Sequence, residues 1–281
     1  MLANFMKLLV SRNRLEDGHY VEPYAGGAGI AWSLLLTEYV QHVHINDIDR
    51  ALYAFWTSVL DETDELCRLI RDTRISMRVW RRQKDVLARP DEHSRVHVGF
   101  ATFFLNRTNR SGIIGGGVIG GQAQTGGWKM DARFKKSDLI KRIQKIARYR
   151  RRISVYRLDA ADFLRQVVPT LPPKTLLYLD PPYYVKGEGL YEHHYQHDDH
   201  ALIAGLVKQL KRPAWVVSYD AAPEVLRLYR GFRRQQYALA YSAQDRYAGS
   251  EVIFFAPQLQ VPRVDNPSRL RAALGHFNDG H

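Results

Sequence analysis

The chain has 281 residues, 45% hydrophobic and 25% charged, enough to bury one large core or a core with a smaller lobe. A single cysteine, Cys67, excludes an internal disulfide and fits a reducing compartment; it reads as a small buried hydrophobe in a helix around residues 64–70. No apolar run approaches a membrane span and no leader-like segment opens the chain, so a cytoplasmic protein is expected, while a net charge of +12 points to phosphate backbones as partner.

The first chemical feature is Tyr20-Val21-Glu22-Pro23-Tyr24-Ala25-Gly26-Gly27-Ala28-Gly29, a short strand passing through a glycine-rich turn into an apolar helix over residues 30–39. Glycine permits positive φ and close approach of a ligand to the backbone, and the helix start offers unpaired N–H groups. The spacing is neither that of the dinucleotide fingerprint nor of a P-loop, so a phosphate ligand is not required. The next strand, residues 42–46, ends at Asp47, about twenty residues past the glycines, where a carboxylate can accept hydrogen bonds from a ribose diol. Together they suggest an adenosyl ligand. Asp47 could equally cap the helix that starts near Asp49.

Cations concentrate in the middle of the chain. Arg71, Arg74, Arg78, Arg81, Arg82 and Lys84 are expected on one helix. Lys135, Lys136, Lys141, Arg142, Lys145, Arg148 and Arg150 to Arg152 are expected on and after another, opposite an apolar stripe of Leu139, Ile140, Ile143, Ile146 and Ala147. Between them, residues 112–128 are too glycine-rich for a regular element and read as a mobile or hairpin-like loop. Asn109, Arg110, Gln122 and Gln124 carry groups able to read base edges, although a solvated surface loop needs the same residue types.

A strand at residues 153–156 precedes Asp159 and Asp162-Phe163, where either aspartate can cap a helix. The apolar run Thr175-Leu176-Leu177-Tyr178-Leu179 then ends in Asp180-Pro181-Pro182-Tyr183. A carboxylate, a stiff backbone and an aromatic face at a strand's C-terminal end suit a planar amino group, and that end is where open α/β sheets bind ligands. Residues 191–200 crowd histidines with carboxylates, but the spacing matches no familiar zinc pattern. A loop over the site, ending in Asp198 or Asp199 as the cap of a helix at residues 200–210, is the expected form, and no metal is expected. Core strands follow at residues 213–219 and 249–255, then an exit linker from Val261 with one short helix.

These segments resemble the Dam-like (D12 class, alpha-group) DNA adenine-N6 methyltransferases over most of the chain. Glu22 to Gly29 is similar to that family's cofactor loop, Asn46-Asp47-Ile48-Asp49 to its ribose-binding segment, Asp180-Pro181-Pro182-Tyr183 to its catalytic motif, and residues 103–112, with Asn106 and Arg107, to the start of its target-recognition insertion. The resemblance implies a Rossmann-like α/β core, residues 1–62 and 151–260, holding S-adenosylmethionine at Glu22, Pro23, Tyr24, Ala25, Gly26, Gly27, Gly29, Asp47, Asp162 and Phe163, with Asp159 an equally placed alternative to Asp162. It implies a mainly helical insertion at residues 63–150 that contacts double-stranded DNA through Asn106, Arg107, Asn109, Arg110, Gln122, Gln124, Lys135 and Lys136, and a tail at residues 261–281.

In that family the Asp180 carboxylate and the Pro181 carbonyl would accept hydrogen bonds from the adenine amino group and Tyr183 would stack on the extruded base. A restriction–modification setting with a cognate endonuclease and a free-standing monomer are the accompanying expectations. The chain starts at Met1-Leu2-Ala3-Asn4 without the Gly-Gly-Lys or Gly-Ser-Lys segment with which the family usually opens, which implies either a weaker hold on the cofactor or a start codon set too late. The alternatives are an RNA guanine-amino methyltransferase, against which the insertion from Asn106 to Trp128 argues, and an idle DNA-binding module, against which Asp180 and Gly26-Gly27 argue.

Overall fold

The computed structural model describes residues 2–184, 195–238 and 250–270. The chain divides into two compact units, Met1–Ile45 with Asp159–His281, and Asn46–Leu158. It opens with α1 (Ala3–Arg12), β1 (Gly18–Glu22), α2 (Gly29–Leu35) and β2 (Val40–Asn46), and continues through α3 (Arg50–Asp61), α4 (Thr63–Asp72), α5 (Met77–Ala88), α6 (Arg95–Thr108), α7 (Lys136–Ala147) and β3 (Ile153–Tyr156) in the second unit. It then returns to the first with α8 (Ala160–Gln166), β4 (Thr175–Leu179), α9 (His197–Gln209), β5 (Ala214–Asp220), α10 (Pro223–Leu228), β6 (Arg233–Ala238) and β7 (Ser250–Phe255).

Six strands of the first unit lie in the order β2-β1-β4-β5-β7-β6. β1 pairs parallel with β2 on one side and β4 on the other, β4 pairs parallel with β5, and β7 runs antiparallel to both β5 and β6. Every residue of β4 is buried, as a central parallel strand covered on both faces requires. α1 places Phe5, Met6, Leu9 and Val10 on its inward stripe, and Phe5 meets Phe255 of β7 at a ring separation of 6.1 Å. This is the Rossmann-like α/β core that the motifs imply. The strand order reverses at β1, so the crevice beyond the carboxyl ends of β1 and β4 is the expected ligand position.

The second unit is mainly helical. α6 is buried nearly all round, packed by α3, α4 and α5, and so shows little amphipathicity. Gly99 lets α6 approach α3, since a Cβ there would lie 2.8 Å from the Ala54 carbonyl and 2.9 Å from Ser58 Oγ. Contacts divide at residues 45/46 and 158/159, whereas the chain-order reading set the boundaries at 62/63 and 150/151. α3 accounts for most of the difference, because its main packing partner is α6.

Other bounds also differ from the sequence reading. Arg71 and Arg74 to Lys84 do not share a helix, because the chain breaks at residues 73–76 and restarts α5 on Ser76, whose hydroxyl accepts the Val79 N–H. Helix α9 starts at His197; Asp199 lies inside it and accepts the Gln196 N–H at 2.8 Å, a reciprocal capping arrangement. The histidine-bearing stretch falls partly outside the described residues. Strand β6 was unexpected: Arg233-Arg234-Gln235-Gln236 lacks apolar alternation because it is a mostly exposed edge strand.

Three histidines from β1 and β2 cluster, with ring separations of 5.1 Å for His19 to His42, which stack, 5.1 Å for His19 to His44 and 4.7 Å for His42 to His44, which are tilted. Burial, then the neighbouring His42 and His19, push the His44 pKa down to about 3. Its folded pKa lies below its unfolded value, so the unfolded chain binds more protons and stability falls as pH drops below the unfolded pKa of about 6.5. Denaturant titrations at pH 7.5 and pH 5 are expected to differ by about 2 kcal/mol from this site. The difference should shrink in His44→Phe, and an equal loss in both proteins would assign the acid sensitivity elsewhere.

Candidate active site

Beyond the carboxyl ends of β1 and β4 lies a cavity of about 560 Å³. Its walls include Glu22, Tyr24, Ala25, Gly27, Ala28 and Gly29 from the turn after β1, Tyr178, Asp180 and Tyr183 from β4 and its extension, and Ser218, Tyr237 and Glu251 from β5, β6 and β7. The glycine turn takes left-handed backbone. Gly26 takes φ +47° and Ala28 φ 48°, and a Cβ on Gly26 or Gly27 would meet nothing within 4 Å, so the turn presents bare backbone to open space.

Glu22 ends β1 with its side chain buried, and its Oε1 accepts the Ala31 N–H at 3.2 Å. Burial raises its pKa to about 8, the Asp180 charge adding to the effect and the Ala31 N–H opposing it. The carboxyl is therefore predominantly protonated at neutral pH. Asp180 opens onto the cavity but is ringed by protein, and this burial raises its pKa to about 6, helped by Glu251 and opposed by Ser218. Ser218 Oγ donates to Asp180 Oδ1 at 2.5 Å and takes a hydrogen bond from the Tyr178 hydroxyl at 2.7 Å. Burial holds the Tyr178 phenol well above its usual pKa, so it stays a donor and the chain of bonds runs one way, from Tyr178 through Ser218 to Asp180.

The predicted residues separate clearly. Asp180, Tyr183, Glu22, Tyr24, Ala25, Gly27 and Gly29 meet around the cavity, with Pro23, Gly26, Pro181 and Pro182 in the same two segments. Asp162 and Phe163 do not line it: Phe163 is fully buried in the core and Asp162 pairs with Arg165 at 3.4 Å, while Asp159 caps α8 through the Ala161 N–H. In the second unit, Asp47 accepts the Asp49 N–H at 3.0 Å and Asp49 is the residue that caps α3. The sequence reading missed Tyr178, Ser218, Tyr237 and Glu251. The available signal was a serine within the otherwise buried Val216-Val217-Ser218-Tyr219 run, but its partner Asp180 is identified only by strand register.

Several polar residues expected to read DNA are used within the second unit. Asn109 is buried; its Oδ1 accepts the Trp80 Nε1–H at 2.7 Å and its Nδ2 donates to the Ile113 and Ile114 carbonyls. Gln124 donates to the Ile119 and Gly121 carbonyls and accepts the Met130 N–H, tying down the glycine-rich segment. Asn106 donates to the Gly112 carbonyl, and Lys136 donates to the Arg71 and Thr73 carbonyls at the end of α4. These four therefore serve the local fold, whereas Arg110, Gln122 and Lys135 are exposed. Arg107 is half-buried with its Nε lacking a hydrogen-bond partner among the described residues, and burial followed by Arg133 and Arg142 lowers its pKa. A shallow hollow in the same unit is lined by Arg148, Arg150, Arg151 and Arg152.

A doubly wound sheet with a glycine turn at β1 and a carboxylate, two prolines and a tyrosine after β4 defines a Rossmann-like methyltransferase. Residues 1–242 match the model of the D12 class N6 adenine-specific DNA methyltransferases, and the chain belongs to that family. It is accordingly an S-adenosylmethionine-dependent DNA adenine methyltransferase. Among curated proteins none matches the chain. No described helix is long and apolar enough to cross a membrane.

Because the Glu22 pKa is raised on folding, the folded chain holds the proton that the unfolded chain has lost, and stability declines as pH rises from about 4.5 toward 8. Between pH 6.5 and 8 the ligand-free protein should lose on the order of 1 kcal/mol from this residue. Thermal melts of Glu22→Gln are expected to be flatter over that interval. Parallel pH slopes for the two proteins would refute the assignment.

Proposed function

We propose that the cavity beyond β1 and β4 binds S-adenosylmethionine and one adenine extruded from double-stranded DNA. The observation that carries this reading is the convergence of Glu22, the bare Gly27 backbone, Asp180 and Tyr183 on one cavity, of a size that suits a nucleoside-like ligand. The residues suit the cofactor: Glu22 is a buried acid whose ionised form a cationic ligand would favour, and the glycine turn leaves room where side chains would block an adenosyl group. Pro23, Tyr24, Ala25 and Gly29 belong to this cradle. When bound, S-adenosylmethionine supplies an electrophilic sulfonium methyl group.

The adenine amino nitrogen is a weak nucleophile because its lone pair is delocalised into the ring. In this reading Asp180 and the Pro181 carbonyl accept hydrogen bonds from its two N–H groups, concentrating electron density on nitrogen as positive charge develops there. Ser218 already occupies one Asp180 oxygen and restrains the carboxylate's rotation. Pro181 and Pro182 restrict the backbone that aims the carbonyl, and Tyr183 offers its ring face to the base. Reaching the target atom costs the unstacking of one base, about a few kcal/mol, met by contacts in the pocket and along the duplex. Arg107 with Arg133 and Arg142, Arg110, Lys135 and the arginines of residues 148–152 are the proposed phosphate contacts, and Gln122 is a candidate for base readout. The reading extends to a cytoplasmic monomer working beside a cognate endonuclease in restriction–modification.

The decisive assay is transfer of labelled methyl to unmethylated genomic DNA, with nucleoside mass spectrometry of the product. N6-methyladenine at one short motif is expected; its absence would overturn the reading. The rate should fall as pH drops below about 6, because protonation makes Asp180 a weaker acceptor and turns one of its oxygens into a donor. Asp180→Ala should lower kcat by roughly a thousandfold or more while DNA binding is retained, and normal turnover by that variant would remove Asp180 from the mechanism.

A further inference from the structure

Two consecutive residues after the prolines are tied to the sheet end. The Tyr183 hydroxyl donates to Glu251 Oε1 at 3.1 Å, and the Tyr184 N–H donates to Asp220 Oδ1 at 2.8 Å. Glu251 and Asp220 face each other in the β5–β7 ladder, and Glu251 also faces Tyr237 in the β6–β7 ladder. The Tyr237 hydroxyl donates to the other Glu251 oxygen at 2.5 Å. Like charges directly opposite on antiparallel strands are unfavourable, and here both carboxylates receive hydrogen bonds from the groups they restrain.

We propose that Glu251, braced by Tyr237, is a positioning residue that latches the Tyr183 ring in the orientation the flipped adenine stacks on. A tyrosine side chain has two soft torsions, and a bond at its hydroxyl fixes the end of the ring farthest from the backbone. The ring is then pre-oriented before the base arrives, which favours the geometry of transfer over mere binding. The antiparallel placement of β7 makes this possible, because it brings the start of that strand, not its end, to the carboxyl ends of β4 and β5. This inference rests on Tyr183 being the base-facing ring.

The test is a mutant cycle on the full-length protein, with kcat, both KM values and the pH–rate profile measured for methyl transfer to genomic DNA. Glu251→Ala is expected to lower kcat roughly 30-fold, with both KM values within about twofold of the unsubstituted protein. Glu251→Gln, whose amide oxygen still accepts one phenol, should lose less, on the order of 5-fold. Tyr183→Phe removes the same bond from its other side, so adding Glu251→Gln to Tyr183→Phe should produce little further loss. Removing the charge beside Asp180 should also move the acid limb of the Glu251→Gln profile to lower pH, an effect that a remote packing role would not produce.

A folded Glu251→Ala protein with kcat within about twofold of normal would overturn the latch. So would additive losses in the double variant, and this second criterion decides the matter if Glu251→Ala does not fold. Full activity in Tyr183→Ala would instead overturn the assignment of the base-facing ring, and the latch with it.

Discussion

The parallel pairing of β1 with β4 carries two carboxyl groups, Glu22 and Asp180, to the same end of one sheet. Both are raised in pKa by loss of solvation, to about 8 and about 6, and the Asp180 charge adds to the cost of ionising Glu22. Much of the surrounding chemistry follows from accommodating that pair. Glu22 takes the Ala31 N–H from the start of α2, and Asp180 takes a hydroxyl from β5 that is itself supplied from β4. The two acids differ in acidity, Glu22 holding its proton to higher pH than Asp180, because their surroundings differ.

The antiparallel strand β7 completes the arrangement. A purely parallel sheet would present only strand C-termini at this end, followed by loops. By reversing, β7 presents Glu251 from within a regular ladder, next to Asp220 and opposite Tyr237. The aromatic wall of the cavity therefore leans on a strand rather than on a loop, and strands hold a side chain to closer tolerances.

The second unit uses many of its polar side chains internally. Asn109, Gln124, Asn106 and Lys136 satisfy backbone carbonyls and amides that a glycine-rich segment and a helix end would otherwise leave unpaired. A chain with so few side chains between residues 112 and 128 cannot pack itself by hydrophobic contact, so its shape depends on these hydrogen bonds. The arginines are different in character: Arg133 and Arg142 lie close enough to Arg107 to lower its pKa, and cations so grouped attract an external anion.

The local chemistry of the turn and of the tetrapeptide was legible in the chain itself. Glycine at 26 and 27, proline at 181 and 182, and the apolar run of residues 175–179 act within a few residues of where they stand, so composition and spacing suffice to read them. The excess of cations in the middle of the chain was legible for the same reason. Which hydroxyl supports which carboxylate was not, because Ser218 meets Asp180 and Glu251 meets Tyr183 only through strand pairings between residues 38 and 68 positions apart. That Asn109 and Gln124 bond within the chain was not legible either, since an amide's donors and acceptors are identical whether they face a base or the chain's own backbone. Sequence determined the chemical groups and their local backbone, and tertiary structure decided their partners, because a hydrogen bond a few ångströms long depends on register that no local pattern encodes.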